Sequence, residues 1–399
     1  MAVDVRACKD LDEVVQSLRT VEGAFGSEPE ESDIERAKKT MPSDRAFIAW
    51  DGDRIAGTGA SFPFSLTIPG GELPCAGVTW VGVLPTHRRR GVLREMMRFQ
   101  LDDVRRRGEP IAALWASESV IYGRFGYGIA APMHELKALK TNFTFRDDPG
   151  PVGSVRVVTR EEARELYPPV YERIRARRAG MIARDETWWW EVRLGVWPGP
   201  SGSGPRVYVV YERDGAVEGY AFYRIRQKWD DSVPQGTVLV IEVMGETQTA
   251  TRELWRFLFS IDLTTQVDAE ITDPAAGLWL GVADPRRLRV GLGDGLWLRL
   301  VDVEAALAAR AWPGDGIVIE VRDEFCPWNE CRYRLGEGRV DAEPDLALAV
   351  ADLASLYLGG ISAYDLANAG RLDERTDGAI ARAEALFRTP LPPFCPEVF

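Results

Sequence analysis

The chain has 399 residues, too many for one ordinary core, so two or three domains are expected. Hydrophobic residues make up 45% and charged residues 28%, the balance of a soluble globular protein, and a net charge of −12 argues against non-specific nucleic-acid binding and suits a cationic substrate. Five scattered cysteines and two histidines argue against a disulfide framework and against zinc, and the absence of a signal segment or of an apolar run of about 18 residues makes the cytoplasm the expected compartment.

Residues 9–22 read as a helix with Leu11, Val14, Val15 and Leu18 on one face. Glu22 to Asp33 reads as an acidic loop with Phe25 exposed, and a second amphipathic piece runs through Ile34 and Ala37. Ala46–Trp50 and Ile55–Ser61 form a hairpin across Asp51-Gly52-Asp53. Val78-Thr79-Trp80-Val81-Gly82-Val83 then reads as a buried strand that ends near Pro85. Three arginines and Gly91 make a turn, and a helix follows with Val92, Leu93, Met96, Met97 and Leu101 at helical spacing. Ile111–Ala116 is another buried strand, ended by Ser117, Glu118 and Ser119.

The strand, turn and helix of residues 78–101 form one device. The first turn of a helix carries unpaired N–H groups and the positive end of the dipole. Gly91 lets backbone approach a ligand closely, and Arg88, Arg89 and Arg90 add fixed positive charge. Basic runs are commonly solvated faces, but the flanking strand and helix favour a pyrophosphate site. Neither the dinucleotide fingerprint nor the P-loop is present, and Gly291-Leu292-Gly293-Asp294-Gly295 reads as a turn.

The middle of the chain repeats the order. Glu161 to Arg178 is helical, and Trp188-Trp189-Trp190 reads as core aromatic within a second helix. Residues 206–211 and 217–221 parallel the first hairpin, Val238–Val243 the central strand, and Thr251–Leu258 the helix after it. Gly52 and Gly215 lie 163 positions apart, and Val83 and Val243 lie 160 apart, which reads as a degenerate tandem duplication. The second copy has Gly245-Glu246-Thr247-Gln248 where the first has its arginines, so it is not expected to bind pyrophosphate. From Leu296 the pattern changes to short strands near 296–301, 317–321 and 331–335. Helices are expected over 303–309, near 363–369 and over 377–387.

Arg88-x-x-Gly91-x-Leu93 after a strand resembles the acyl-CoA pyrophosphate loop of the GNAT superfamily of N-acetyltransferases. The longer text Leu84-Pro85-Thr86-His87-Arg88-Arg89-Arg90-Gly91-Val92-Leu93, followed by Ile121-Tyr122-Gly123-Arg124-Phe125-Gly126-Tyr127-Gly128, resembles the Eis (enhanced intracellular survival) family of aminoglycoside N-acetyltransferases. The likeness runs on through Leu296-Trp297-Leu298-Arg299 and Ser355-Leu356-Tyr357-Leu358-Gly359 to Phe399. It implies an α+β chain of two tandem GNAT-like domains, the second degenerate, followed by a sterol-carrier-protein-like C-terminal domain. The expected boundaries are 1–150, 151–290 and 291–399.

The resemblance also implies the chemistry. Acetyl-CoA is the co-substrate, no metal is needed, and the acceptor is an amine of an aminoglycoside or a related polyamine, acetylated at several positions. Alternatives are a protein lysine as acceptor, or a non-catalytic acyl-CoA or lipid-binding protein. Backbone at Val81, Gly82 and Val83 is expected to polarise the thioester. Arg89, Arg90, Gly91, Val92, Leu93 and Arg94, after Arg88, hold the pyrophosphate, and Ser117 and Glu118 add contacts to CoA. Tyr122 matches the general acid, a phenol with pKa about 10 and so protonated at neutral pH; Tyr127 is the runner-up. His87, beside three arginines, reads as a structural turn residue. The terminal carboxylate of Phe399 matches the general base, carried on the stiff apolar stretch Pro390–Pro396. Phe25, Glu28, Asp33, Trp50 and Phe62 are candidates for an acidic, aromatic amine site. The penultimate residue is Val398, with Glu397 the nearest acid, a departure from the family pattern that implies a narrower aminoglycoside range. The family also implies a homo-hexamer built as a trimer of dimers, consistent with 13 tryptophans and 15 phenylalanines. No nucleic acid or membrane is expected as a partner.

Overall fold

The computed structural model describes residues 3–141, 143–196 and 199–399. The first stretch runs β1 (Asp4–Ala7), α1 (Leu11–Phe25), α2 (Glu31–Thr40), β2 (Ala46–Asp51), β3 (Arg54–Ile68), β4 (Gly71–Val83), α3 (Val92–Arg106), β5 (Ile111–Trp115), α4 (Ser119–Tyr122) and β6 (Gly128–Leu139). Then come β7 (Ser154–Val158), α5 (Arg160–Arg175), β8 (Val207–Arg213), β9 (Ala216–Arg226), β10 (Trp229–Asp230), β11 (Val233–Pro234), β12 (Gly236–Gly245), α6 (Gln248–Ser260), β13 (Thr264–Thr272) and α7 (Leu278–Gly281). The last stretch holds β14 (Gly291–Leu300), α8 (Val303–Ala309), β15 (Val318–Arg322), β16 (Cys331–Arg334), β17 (Gly338–Arg339), β18 (Leu346–Ala349), α9 (Val350–Tyr357), α10 (Ala363–Asn368), β19 (Leu372–Glu374) and α11 (Ala379–Phe387). These elements gather into two compact units. One is Met1–Ala131 with Gly295–Pro393 and Glu397–Phe399; the other is Pro132–Asp294 with Phe394–Pro396. Among the described residues no helix is long and apolar enough to cross a membrane.

In the first unit the strands stand in the order β1-β2-β3-β4-β5-β14, with a five-stranded sheet, β17-β16-β15-β18-β19, from its C-terminal part. α3 forms because its apolar residues recur at three- and four-residue steps. It buries Val92, Met96, Met97, Leu101 and Val104. Met97, Leu101 and Val104 pack with Ala76, Val78, Ala112, Leu114 and Tyr122. β4 and β5 are parallel but pair only from Cys75–Gly77 to Ile111–Ala113. Beyond that they diverge, and β4 stays paired with β3 on its other edge out to Val83. A bulge sets Trp80 and Val81 against Gly59 alone, and Trp80 takes a positive φ of 54°.

Two buried arginines hold the C-terminal part of this unit together. Arg310 donates to Tyr357 O at 2.9 Å, Leu386 O at 3.1 Å and Phe387 O at 2.6 Å, carbonyls at the ends of α9 and α11 that lack helical partners. Desolvation pulls its pKa down to about 10. Arg299 on β14 donates to Asp323 at 2.6 Å, and Asp323 also accepts from Asn329 Nδ2 at 2.9 Å and the Cys326 N–H at 3.0 Å.

The second unit repeats the pattern in the order β6-β13-β12-β9-β8-β7. β12 and β13 are parallel from Gly236 to Val240 and then part, with a bulge between Val240 and Glu242. At this bulge lies a largely buried charge network. Glu242 accepts from Arg184 Nη2 at 2.7 Å, Arg184 Nη1 at 3.0 Å, Tyr220 OH at 2.6 Å, and from Arg193.

Two expectations need correction. α1 does not end at Glu22 but runs on to Phe25, because the glycine that caps it is Gly26, in the left-handed conformation with its N–H returned to Glu22 O and Gly23 O. Gly291–Gly295 is not a turn; it opens β14. A Cβ at Gly293 would lie 2.7 Å from Met133 Cε, so this glycine serves close approach within a sheet.

Glu242→Gln should lower the stability of the second unit by about 3–5 kcal/mol at neutral pH, since it removes the carboxylate that the buried Arg184 guanidinium and the partly buried Arg193 both pair with. Burial pushes the Glu242 carboxyl up, but Arg184 and Arg193 outweigh this and hold it at about 2. A depressed carboxylate stabilises above its unfolded pKa and stops doing so as pH falls through the folded one. The difference from the parent should therefore shrink below about pH 4, toward pH 2. Urea titrations at pH 7 and pH 3 measure both.

Candidate active site

Where β4 leaves β5, the first unit holds a cavity of about 490 Å³. Its floor is Val81, Gly82 and Val83 on the diverging arm of β4. One wall is the turn and first residues of α3: Arg88, Arg89, Gly91, Val92, Leu93 and Arg94. The opposite wall is Ser117, Glu118 and Tyr122, at the end of β5 and in α4. Ala24 and Phe25 close it from the end of α1. Val78 to Val83 have no strand partner on the β5 side, so backbone groups there are available to a ligand.

Gly91 is the N-cap of α3 at φ 86°, and no side chain caps the helix. Arg89 also has positive φ, 60°, a conformation that costs a non-glycine residue energy. Such turns gather N–H groups into concavities that take oxyanions, and the helix dipole adds to the same field. A Cβ at Gly91 would meet nothing within 4 Å, so backbone conformation is what requires glycine there. Arg88 donates to Ala24 O at 3.1 Å and Val83 O at 3.3 Å, locking the turn to α1 and β4. Arg90 lies off the cavity and pairs with Asp51 at 3.0 Å. His87 is buried, with Nδ1 2.8 Å from Thr86 Oγ1 and Nε2 3.4 Å from Asp51.

Tyr122 is 5% exposed yet lines the cavity. Burial raises its pKa, the hydrogen bond with Ser117 lowers it, and nearby Glu118 raises it; the net is upward. The phenol thus holds its proton at neutral pH. Tyr127 stands edge-on to Tyr122 at 5.9 Å between centroids but is fully buried and off the cavity. Its hydroxyl has no hydrogen-bond partner among the described residues, and burial pushes its pKa far up. The tyrosine turn packs on Arg299, since a Cβ at Gly126 would lie 2.2 Å from Arg299 Nη1.

Phe399 stacks edge-on against Phe64, with centroids 4.9 Å apart. The Phe64 ring covers Gly77, where a Cβ would lie 2.2 Å from Cε2. Gly77 is the last residue of β4 paired to β5, so the C-terminal residue is seated at the fork. Phe62 stacks on Phe64 at 5.5 Å and joins this cluster. Of the other acceptor-site candidates, Phe25 lines the cavity and is 63% exposed. Glu28 is exposed and away from the lining. Asp33 is held by Arg36 at 2.9 Å and the Glu30 N–H at 2.9 Å, and Trp50 faces Arg6 at 5.2 Å. Reading the sequence missed Arg124 as a site residue. It lines the cavity, and its place inside the quoted tyrosine motif was the available signal.

Family models match the chain in three places: acetyltransferase (GNAT) domain at residues 4–130, acetyltransferase (GNAT) domain at 180–300, and sterol carrier protein domain at 303–396. N-acetyltransferase Eis of Mycobacterium tuberculosis is 34% identical, covering 88% of this chain and 89% of the relative. The chain belongs to the Eis family of N-acetyltransferases. An uncharacterized N-acetyltransferase of Streptomyces avermitilis is 42% identical over 100% of both chains. The crystal structure of Eis1 from Mycobacterium abscessus matches with a TM-score of 0.86 at 32% identity, over 99% of this chain and 100% of that one. The protein is thus an acetyltransferase of the Eis kind, two GNAT domains followed by a sterol-carrier-like domain. Its fold implies acetyl-CoA as donor and an amine as acceptor.

The uncapped turn and its arginines set an expectation for acetyl-CoA binding. Replacing Arg89 with Ala and Gly91 with Val together should weaken it by about ten-fold or more, by loss of a charge-assisted contact and of the left-handed turn. Titration calorimetry with acetyl-CoA reads this directly, and unchanged affinity would refute the placement.

Proposed function

We propose that this enzyme acetylates amines of small cationic polyamines, with aminoglycosides as the best test substrates and more than one amine modified per molecule. The observation that carries the reading is the cavity at the β4/β5 fork, lined both by the uncapped Gly91 turn with its arginines and by a protonated phenol. The pyrophosphate is assigned to Arg88, Arg89, Arg94 and the backbone from Arg90 to Leu93. The thioester carbonyl lies along Val81–Val83, whose unpaired backbone polarises it. The amine nitrogen attacks the carbonyl carbon, the C–S bond breaks, and the departing thiolate takes the proton of Tyr122. The Phe399 carboxylate accepts the proton lost by the amine, directly or through a water. An α-carboxyl has an ordinary pKa of about 3.3–3.7, and enclosure with substrate would raise it toward the working pH.

The acceptor side is drawn from Phe25 and the Phe62–Phe64–Phe399 cluster, with Glu118 as the acid on the cavity. Val398 is 56% exposed, while Glu397 is fully buried. The acid nearest the terminus is therefore withdrawn from the surface a cation would meet, which supports a narrow aminoglycoside range.

Thiol release from acetyl-CoA should be observed with at least one aminoglycoside. Tyr122→Phe should keep acetyl-CoA affinity and lower kcat by about 10²-fold, the contribution of a positioned general acid. Turnover on lysine peptides but on no aminoglycoside would transfer the acceptor assignment to protein lysines, and no turnover on any amine by folded protein would end the reading.

Appending a short tag after Phe399 should abolish turnover while acetyl-CoA still binds. Phe399→Ala keeps a carboxylate but loses its seat on Phe64, and should cost less than deleting the residue. Full activity in the tagged enzyme would refute the carboxylate as base.

A further inference from the structure

The second unit contains a fork like the one that holds the active-site cavity. Its parallel strands part after Val240 and Ala269, and its bulge at Ile241 stands 160 positions from Val81. The contents differ. The space between Ile241–Gly245 and Ile271–Thr272 amounts to about 30 Å³, against about 490 Å³ in the first unit. Where the first copy has Gly82, this one has Glu242, buried under Arg184 and Arg193. Two residues of the fork's wall, Phe394 and Pro396, come from the end of the chain.

That segment is held by more than burial. Phe394 is 4% exposed, in one apolar cluster with Tyr167, Tyr171, Trp189 and Met244. Its N–H donates to Ala179 O at 2.9 Å. Gly180 has φ 92°, and a Cβ there would lie 3.0 Å from Phe394 O and 3.2 Å from its N, so the two backbones touch where only glycine fits well. Arg178, paired with Asp273 at the end of β13, sets its guanidinium 5.8 Å from the Phe394 ring.

We propose that the second GNAT-like copy is the anchor of the C-terminal segment: its fork takes Phe394–Pro396 in place of an acyl-CoA and so fixes the three residues that follow. The catalytic consequence rests on the assignment of Phe399 as base; the anchoring does not.

The test uses the thiol of Cys395, 2% exposed within the anchored segment, as a reporter in the full-length enzyme. N-ethylmaleimide labelling, read by mass spectrometry for each cysteine, should be at least about ten-fold faster at Cys395 in Phe394→Ala and in Gly180→Val. Cys8 and Cys326, buried in the first unit, should label no faster, and acetyl-CoA affinity should not change. With these, kcat should fall. Where Cys8 is also exposed in a variant, the milder Phe394→Leu carries the comparison. Cys395 protected as in the parent overturns the anchor. Cys395 exposed with full turnover upholds the anchor and removes the base assignment.

Discussion

The early parting of β4 from β5 is the constraint on which the first unit depends. Parallel strands satisfy each other's backbone, so strands that separate inside a protein leave N–H and C=O groups in need of partners. Here only three residues of each strand pair before the arms separate. The bulge at Trp80 and Val81 turns β4 while its other edge stays on β3. α1 presses against the arm so closely that a Cβ at Gly82 would lie 3.2 Å from Val21 Cγ2. The opening thus has one rigid wall of exposed backbone. The arginine turn, the tyrosine turn and the terminal phenylalanine are all arranged around it.

The tyrosine turn is held from behind by a buried charge. Arg299 is 0% exposed, and Asp323 takes up one of its nitrogens at 2.6 Å. Its Nε and Nη1 have no hydrogen-bond partner among the described residues. An enclosed ion pair of this kind is a weak source of stability, because desolvation of both groups offsets their attraction. What it does supply is shape: a flat, fixed guanidinium that only a glycine can meet at position 126. Phe325, from the same part of the chain as Asp323, lies edge-on to Phe125 at 5.0 Å and beneath Arg98 at 4.8 Å. The sterol-carrier-like segment is therefore part of the wall that presents Tyr122, quite apart from delivering Phe399.

Periodicity made most of this legible in the sequence. Apolar steps of three and four marked α1, α3 and α6, and β-branched runs marked β4 and β12, because burial of one face is what forms those elements. The Gly91 turn was legible because few residues tolerate its backbone. Other features depend on distances between segments remote in sequence. Gly291–Gly295 has turn composition, yet it opens a strand, and its Gly293 answers to the neighbouring Met133 side chain. Arg88, Arg89 and Arg90 are equivalent as text; Asp51, nearly forty positions away, draws Arg90 off the cavity. Tyr122 and Tyr127 share one motif and differ in what covers them. Trp50 and Asp33 have the chemistry of a cation site but are already engaged with Arg6 and Arg36.

Duplication poses a physical problem that the second unit answers in its own way. A copy without the arginine turn still has strands that part, and an empty fork would be a cavity with unsatisfied backbone. One answer is charge: Glu242 enters where the first copy has glycine, and two guanidiniums and a phenol complete its hydrogen bonds. The other is chain: Phe394 and Pro396 occupy the remaining space with apolar surface from the same polypeptide. A tail bound in this way loses conformational freedom over its last residues, which is the state a terminal carboxylate needs if it is to act at one place. On the proposed anchoring, the second fork and the terminal segment answer each other's difficulty. That is a reason for the fork to persist after the arginines of the first copy have no counterpart in the second.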